Sequence, residues 1–347
     1  MADWIQLRVK AVQNETLESK TYTLEPTDGQ GLSYEAGQFL TLGLIHEGHE
    51  IRRSYSLSST PGVDTDVKLT IKRVPNGEIS RWLLQTLEVG SILNSLPPSG
   101  RFTLVSPSQE KSDIFLFAAG SGITPIFSIL KAVLTQQPDR RVVLIYSNTH
   151  PRSTIFLAEL EKWQELYPNR LFIEHIWSNP GGDAAGRRLN NTLLEKLVNQ
   201  YHHARWGKPE FYICGPEDYM RMVRIVLIFM GFDAESIRKE NFVIPMVTPQ
   251  VPEGFGVASK VTIHYRQQSH ELAVEAGTYI LTAALRAGIE LPYSCRGGRC
   301  STCVALCQEG RVKMTINDVL TERELAEGEI LTCTALAETS EIVIRVE

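Results

Sequence analysis

Three of the chain's six cysteines fall within nine residues of the stretch LPYSCRGGRCSTCVAL: Cys295, Cys300 and Cys303. Such density constrains the fold, because whatever joins the sulfurs dictates the backbone around them. Three chemistries compete for them. Six cysteines in 347 residues are too few for a disulfide scaffold. The opening MADWIQLRVK lacks the basic and apolar regions of a secretory signal, so a reducing, cytoplasmic location is expected. Structural zinc usually takes two C-x2-C knuckles, and here only Cys300 and Cys303 form one.

The third chemistry fits the count. C-x4-C-x2-C with a distant fourth cysteine is the plant-type ferredoxin spacing for a 2Fe–2S cluster. The distant residue is Cys333 in ILTCTA, with twenty-nine residues between it and Cys303. Cys295, Cys300, Cys303 and Cys333 are therefore the expected metal ligands. Gly297 and Gly298 suit a loop that brings backbone N–H groups close to sulfur, through positive φ and the missing Cβ. Upstream, GTYILTAALRAGIELPYS reads as a short helix stopped at Gly288. Cys307, four residues after Cys303, reads as a buried strand cysteine or an alternative ligand.

A chain of 347 residues predicts two or three domains. Its 43% hydrophobic and 22% charged residues are ordinary for a globular protein, and a formal charge of −5 speaks against nucleic acid as the main partner. No apolar run approaches the roughly 18 residues of a membrane span. The longest, IVLIFMGF, is expected to be a buried helix in an amphipathic segment.

Residues 243–260 carry three prolines and two glycines, and read as an interdomain linker. Residues 96–113 form a softer break. Before it, IQLRVKAVQNE, SKTYTLEP, QFLTLGLI, RRSYSLSS and VKLTIKRV are short alternating segments separated by turn residues, the pattern of an antiparallel β-barrel. After it, DIFLFAAG, RVVLIYSN, LFIEHIWS and EFYICGP alternate with helical segments, which predicts an α/β domain with a parallel sheet and right-handed crossovers. The expected boundaries are 1–108 for the barrel, 109–243 for the α/β domain, 244–260 for the linker and 261–347 for the ferredoxin domain.

FLFAAGSGITPIFSIL is a strand, a glycine turn and a helix. Gly120 and Gly122 would let backbone approach a pyrophosphate at a helix N-terminus. Thr124 suits the N-cap and Pro125 the first helical position. A plain tight turn also yields G-x-G, and the third glycine of the dinucleotide fingerprint is missing. The flanking strand and helix favour the nucleotide site. In FYICGPEDYM, Cys214 ends a strand, and Gly215 and Pro216 open a helix whose first turn carries Glu217 and Asp218. Strand ends of this kind face the ligand crevice.

With these motifs assembled, the chain resembles the ferredoxin–NADP⁺ reductase superfamily. RRSYSLSS carries its R-x-Y-S flavin signature, IKRVPNGEISRWL its G-x-x-S partner, and GSGITP, CGP and ENF follow in the family's order. The C-terminal ferredoxin, with a β-grasp fold, extends the resemblance to the fused oxygenase reductases, the type of the phenylacetyl-CoA epoxidase reductases. The resemblance implies FAD, a 2Fe–2S cluster and NADPH or NADH as cofactors. It implies that Arg53 pairs with a flavin phosphate, Tyr55 stacks on the isoalloxazine and Ser56 bonds near its N5. Gly77, Glu78, Ile79 and Ser80 would cradle the pyrophosphate, with backbone contacts from Ile71 and Lys72. Thr124 would face the flavin–nicotinamide junction and Cys214 the nicotinamide C4. Phe242, with Glu240 close by, would cover the flavin edge. Plainer readings are a surface arginine for Arg53, a half-buried strand tyrosine for Tyr55 and seam packing for Phe242. Relatives often place Asn-Arg after the second parallel strand; here Asn148 is followed by Thr149. Arg152, or Arg187 and Arg188, could instead meet a 2′-phosphate, which favours NADPH over NADH.

The implied activity carries a hydride's electrons from NAD(P)H through FAD and the cluster to a protein acceptor such as an oxygenase component. A general NAD(P)H–acceptor reductase, a redox sensor and a zinc-filled structural protein are the rivals. The stretch 317–329 bears five acids, Asp318, Glu322, Glu324, Glu327 and Glu329, against Arg323. It reads as a solvated helix surface or as steering toward a basic partner.

Overall fold

The computed structural model describes residues 4–75, 77–104, 111–182, 185–242, 251 and 255–346. Most of the expected linker, 244–250 and 252–254, lies outside the described residues. The chain packs as two compact units, Ile5–Leu44 with Ser54–Phe242, and Met1–Trp4 with Ile45–Arg53 and Val243–Glu347.

The first strands are β1 (Ile5–Thr16), β2 (Ser19–Pro26), β3 (Phe39–His46), β4 (His49–Ser56), β5 (Val67–Lys72) and β6 (Ile92–Ser95), with helix α1 (Glu78–Thr86) between the last two. They form one sheet in the order β4-β3-β6-β1-β2-β5. Alternation positions them: on β1, Leu7 and Val9 are buried while Gln6 and Arg8 face water. The sheet closes on itself just past β4, where Leu57 bridges Leu69 of β5 and the Ser58 N–H donates to the Lys68 carbonyl at 2.9 Å. This is the expected antiparallel barrel; closure pairs edges that would otherwise stay open.

The α/β part runs β7 (Ser112–Ala119), α2 (Ile123–Gln136), β8 (Arg140–Asn148), α3 (Leu157–Leu166), β9 (Leu171–Trp177), α4 (Asn191–Tyr201), β10 (Glu210–Cys214), α5 (Glu217–Phe229) and β11 (Ile237–Glu240). Its strands are all parallel, in the order β11-β10-β7-β8-β9. The apolar run of β7 has a double use. Ile114, Leu116 and Ala118 enter one core with α2, and Phe115 and Phe117 enter the other with α4 and α5. The expected burial of IVLIFMGF holds for one face only. Val226 and Leu227 are buried, but Ile225, Ile228 and Phe229 are exposed, because α5 lies against the sheet on a single side.

Helix α2 also joins this sheet to the barrel. The Thr60 hydroxyl donates to the Ser128 carbonyl at 2.9 Å, and the Ser128 hydroxyl to the Ser59 carbonyl at 2.6 Å. Lys131 pairs with Asp64, whose carboxylate also accepts from the Thr60 N–H at 2.8 Å. Both charges are largely withdrawn from water.

The remaining elements are β12 (Ser259–Tyr265), β13 (Gln268–Val274), α6 (Ile280–Arg286), β14 (Val304–Glu309), β15 (Val312–Met314), α7 (Glu322–Ala326), β16 (Glu329–Leu331), β17 (Ala335–Ala337) and β18 (Glu341–Val346). A mixed sheet, β13-β12-β18-β14-β16, holds α6 over one face in the expected β-grasp manner. Val261, Ile263, Ile342 and Ile344 meet Ile280, Leu281 and Ala284 there, and Cys303 and Cys333 share this core. Among the described residues no helix is long and apolar enough to cross a membrane.

Lys131→Met leaves Asp64 with only Lys68, half-exposed and 3.8 Å away, as a counter-charge at the barrel–α2 joint. Breaking one half of a buried pair costs about 3–5 kcal/mol. The urea midpoint of the FAD-loaded chain should fall, and adding Asp64→Asn to Lys131→Met should restore most of it. An unchanged midpoint in the single variant would show that the pair does not hold the joint.

Candidate functional site

In the parallel sheet the strand order reverses at β7: the chain leaves toward β8 on one side and returns to β10 on the other. Ligands of open α/β sheets bind in the crevice at such a switch point, outside the strand C-termini. The two turns there are the two glycine motifs. A Cβ on Gly122 would lie 2.1 Å from the Cys214 carbonyl oxygen and 2.8 Å from the Gly215 nitrogen, so only glycine lets the turns touch. Gly120 has φ of +55°, and a Cβ there would sit 3.5 Å from the Lys72 ammonium at the end of β5.

The helix start differs from the expected one. Gly120–Gly122 form a 3-10 turn that runs straight into α2, so Gly122 is the N-cap and Thr124 lies inside the first turn. Thr124 is buried and its hydroxyl donates to the Ser121 carbonyl at 3.1 Å. Among the described residues no N-cap side chain bonds the first turn of α1, α2 or α5, and at α2 the Ile123 N–H goes to the Gly120 and Ser121 carbonyls of the 3-10 turn. Uncapped helix N-termini suit phosphate oxygens.

Strand ends bring further residues to this crevice. Cys214 of β10 pairs in register with Glu240 of β11. The Ser56 hydroxyl at the end of β4 donates to Glu240 Oε2 at 2.9 Å. Burial pushes the Glu240 carboxyl up to about 8, against the lowering effect of the Ser56 bond. Burial likewise raises the Cys214 thiol, and the Glu240 charge adds to it. Phe242 packs half-buried against the α2 core. Ser56, Lys72, Gly120, Gly122, Cys214, Gly215 and Glu240 are thus linked by direct neighbours.

The flavin-type loop is organised from within. A Cβ on Gly77 would meet the Val74 Cβ at 2.7 Å. Ser80 Oγ accepts from the Val74 N–H at 3.0 Å, so Ser80 shapes the loop. Ile71 and Ile79 are buried beneath it. Arg53 and Tyr55 stand half-buried on one face of β4, and the Arg53 guanidinium donates to the Arg52 carbonyl at 2.8 Å. The close glycine and the N-terminus of α1 beside it are backbone of the kind that suits the pyrophosphate of a dinucleotide flavin.

Arg152 stands exposed in a short turn beyond β8. Arg187 is drawn away from the role expected of it: its guanidinium donates to the His175 carbonyl at 3.2 Å and lies 3.6 Å from Glu174. Arg188 is exposed. His175, which no motif singles out, stacks on Trp177 with centroids 5.0 Å apart and planes 5° apart. Its Nδ1 is buried without a protein partner among the described residues. Only its place near the end of β9 could have marked it.

The cysteine loop forms a second site. Cys295 Sγ accepts from the Gly297 and Arg299 N–H groups at 3.4 Å, and Cys300 Sγ from the Cys295 N–H at 3.4 Å. Gly298 has φ of +72°, and a Cβ there would strike the Ile316 carbonyl oxygen at 2.5 Å. Gly297, contrary to expectation, does not take positive φ; Arg296 and Ser301 do. The Thr332 N–H and hydroxyl both donate to the Cys303 carbonyl at 3.0 Å, which ties the loop to the strand end bearing Cys333. Hydrogen bonds from Cys300 and Cys333 lower the Cys295 thiol and one from Cys333 lowers the Cys303 thiol, while Cys300 and Cys333 are raised. Soft thiolate donors with N–H groups aimed at sulfur fit an iron–sulfur cluster.

Cys307 is half-buried, not buried, and its Sγ faces the Glu309 and Gly310 carbonyls. Asp318 leaves the acidic face: it pairs with Arg299 at 3.0 Å. Helix α7 covers only part of that stretch, and Glu324 closes a capping box with Thr321.

Comparison with known proteins agrees with this geometry. Residues 6–104 match the oxidoreductase FAD-binding domain, 116–225 the oxidoreductase NAD-binding domain and 263–338 the 2Fe-2S iron-sulfur cluster binding domain. The ferredoxin reductase component of 3-ketosteroid-9-alpha-monooxygenase from Mycobacterium tuberculosis is 32% identical over 98% of this chain and 95% of its own length. A component of the 1,2-phenylacetyl-CoA epoxidase of Escherichia coli is 32% identical over 99% of this chain and 98% of its own. Among solved structures, phthalate dioxygenase reductase superposes with a TM-score of 0.60 at 21% identity, covering 99% of this chain and 98% of that one. The chain belongs to the ferredoxin reductase components of oxygenases, oxidoreductases that join an FAD-binding, an NAD-binding and a 2Fe–2S domain in one polypeptide.

Proposed function

We propose that the chain draws electrons from NADPH at the β7–β10 crevice and delivers them through the four-cysteine site to an oxygenase component. The observation that supports it most is the meeting of the GSG and CGP turns, through the Cβ that Gly122 lacks, beside the Ser56–Glu240 pair. FAD and the cluster, when bound, supply the conversion of a hydride's electron pair into single electrons. Arg53 offers a planar guanidinium to a flavin phosphate, and Tyr55 an aromatic face on the same side of β4. Gly77, Ile79 and Ser80, with Ile71 and Lys72 behind them, keep the α1 N-terminus open to phosphate. Gly120, Gly122 and Thr124 do the same at α2. Ser56 and Glu240 hold a proton between hydroxyl and carboxyl beside Cys214. Phe242 closes the crevice to water. Cys295, Cys300, Cys303 and Cys333 hold the cluster. The boundaries 1–108, 109–243, 244–260 and 261–347 divide this labour.

The electron order is tested with Cys300→Ser, whose harder oxygen is a poorer ligand than thiolate. The variant should lose iron yet keep FAD and NAD(P)H–ferricyanide activity. Its cytochrome c reduction should fall roughly a hundredfold, on the order of what loss of a positioned redox group costs. Wild-type cytochrome c reduction without iron would mean that the electrons leave elsewhere.

Nucleotide preference rests on Arg152, the exposed cation just past β8 whose guanidinium a 2′-phosphate could reach. Arg152→Ala should raise KM for NADPH about tenfold, the scale of one charged hydrogen bond, and leave that for NADH within twofold. A wild type that prefers NADH would overturn the preference.

Glu240 sets a pH dependence. Its folded carboxyl, near 8, keeps a proton that the unfolded chain releases near 4.5. Raising pH between those values therefore destabilises the wild type relative to Glu240→Gln. Urea midpoints at pH 5 and pH 8.5 should show the gap in favour of the variant widening. A gap constant with pH would place the carboxyl in water.

A further inference from the structure

Against the cysteine loop lies a stack of four side chains in the second unit, two of them from the loop itself. The Arg52 guanidinium carbon sits 4.0 Å from the centroid of the Tyr293 ring and 5.1 Å from that of Trp4. Arg296 covers the same Tyr293 ring at 4.3 Å. Arg52 also donates to the Tyr293 carbonyl at 3.4 Å and, through Nε, to Glu50 Oε1 at 2.9 Å. The Arg52 side chain is only 13% exposed although its partner Glu50 is 51% exposed. A planar cation is held here by its face, through two rings, and by hydrogen bonds from Nε and one terminal nitrogen.

Its sequence neighbours give the stack a meaning. Tyr293 stands two residues before Cys295, and Arg296 follows Cys295 directly. Arg52 stands beside Arg53 and three residues before Tyr55 on β4, with its side chain on the opposite face from both. The hairpin segment Ile45–Arg53 packs in one unit with the cysteine loop although some 240 residues separate Arg52 from Tyr293.

We propose that Arg52 is a positioning residue for electron delivery, clamping the loop that carries Cys295 onto the Ile45–Arg53 hairpin of the same compact unit. The inference rests on the electron order proposed above. Arg52 takes no part in holding flavin, nucleotide or cluster in that reading. It fixes the loop, and small displacements of a redox partner are costly even when made far from the chemistry.

The test uses Arg52→Ala, Arg52→Lys and Tyr293→Phe in the full chain loaded with FAD and cluster, with FAD and iron quantified. One readout is amide hydrogen exchange of residues 293–299. The other is the ratio of NAD(P)H-driven cytochrome c reduction to ferricyanide reduction. In Arg52→Ala, exchange should rise about tenfold and the ratio should fall roughly tenfold, with FAD and iron retained. Lysine keeps the charge but not the planar fork, and should rescue less than half of the ratio. Tyr293→Phe keeps the stacking ring and carbonyl, and both readouts should stay within about twofold. Wild-type exchange and ratio in Arg52→Ala overturn the inference, as does full rescue by lysine. Loss of FAD with both activities falling together overturns it too, by assigning Arg52 to flavin binding. Cys300→Ser run alongside separates the two levels. If it reduces cytochrome c normally, the electron order fails and takes this inference with it. If it does not, while Arg52→Ala behaves as wild type, the clamp alone fails.

Discussion

Everything in the crevice depends on one missing carbon. Gly122 brings the turn after β7 against the turn after β10, with 2.1 Å between the Cys214 carbonyl oxygen and the place where a Cβ would stand. A side chain there would push apart the two strand ends at which the sheet reverses order. That reversal opens the crevice, and the adjoining strand ends fill it: β4 with Ser56, β5 with Lys72 and β11 with Glu240. The chemistry available there follows from burial. Burial holds the Glu240 carboxyl up near 8 and raises the Cys214 thiol, so these two groups favour their neutral forms beside the Lys72 ammonium.

The two sites are built on different principles. In the crevice, rigid elements meet: parallel strands buried on both faces, and α2 joined to the barrel through Ser128 and Lys131. The cysteine loop has little regular structure and is held by its own backbone. Arg296, Gly298 and Ser301 take left-handed conformations, and N–H groups turn inward to sulfur. Left-handed conformations at Arg296 and Ser301, which L side chains rarely adopt, are thus held by the loop's own contacts.

The architecture is legible in the sequence because its signals are local. The period of two in the barrel strands, the apolar strands followed by glycine turns, and the first three cysteines of the cluster spacing each lie within about a dozen residues. What escapes is tertiary. Gly298 and Gly297 look alike in sequence, and only the Ile316 carbonyl tells them apart. Asp318 sits among acids that face water, yet Arg299 claims it. The start of α2 differs because a 3-10 turn feeds it, which composition does not reveal. Phe229 is exposed against expectation because an apolar run says how much surface a helix could bury, not which side meets a partner. His175 carries no signal beyond its position near a strand end.

The packing of Ile45–Arg53 with the C-terminal region also bears on how such fused chains recombine. A graft cut by sequence alone would move the ferredoxin domain and leave behind the hairpin that touches it. The transplanted Tyr293 would then meet a foreign strand in place of Arg52. The compact unit that holds the cysteine loop is thus discontinuous in sequence although the domain matches are contiguous, and a chimera that carries the Ile45–Arg53 hairpin along with the C-terminal domain keeps the Arg52–Tyr293 contact.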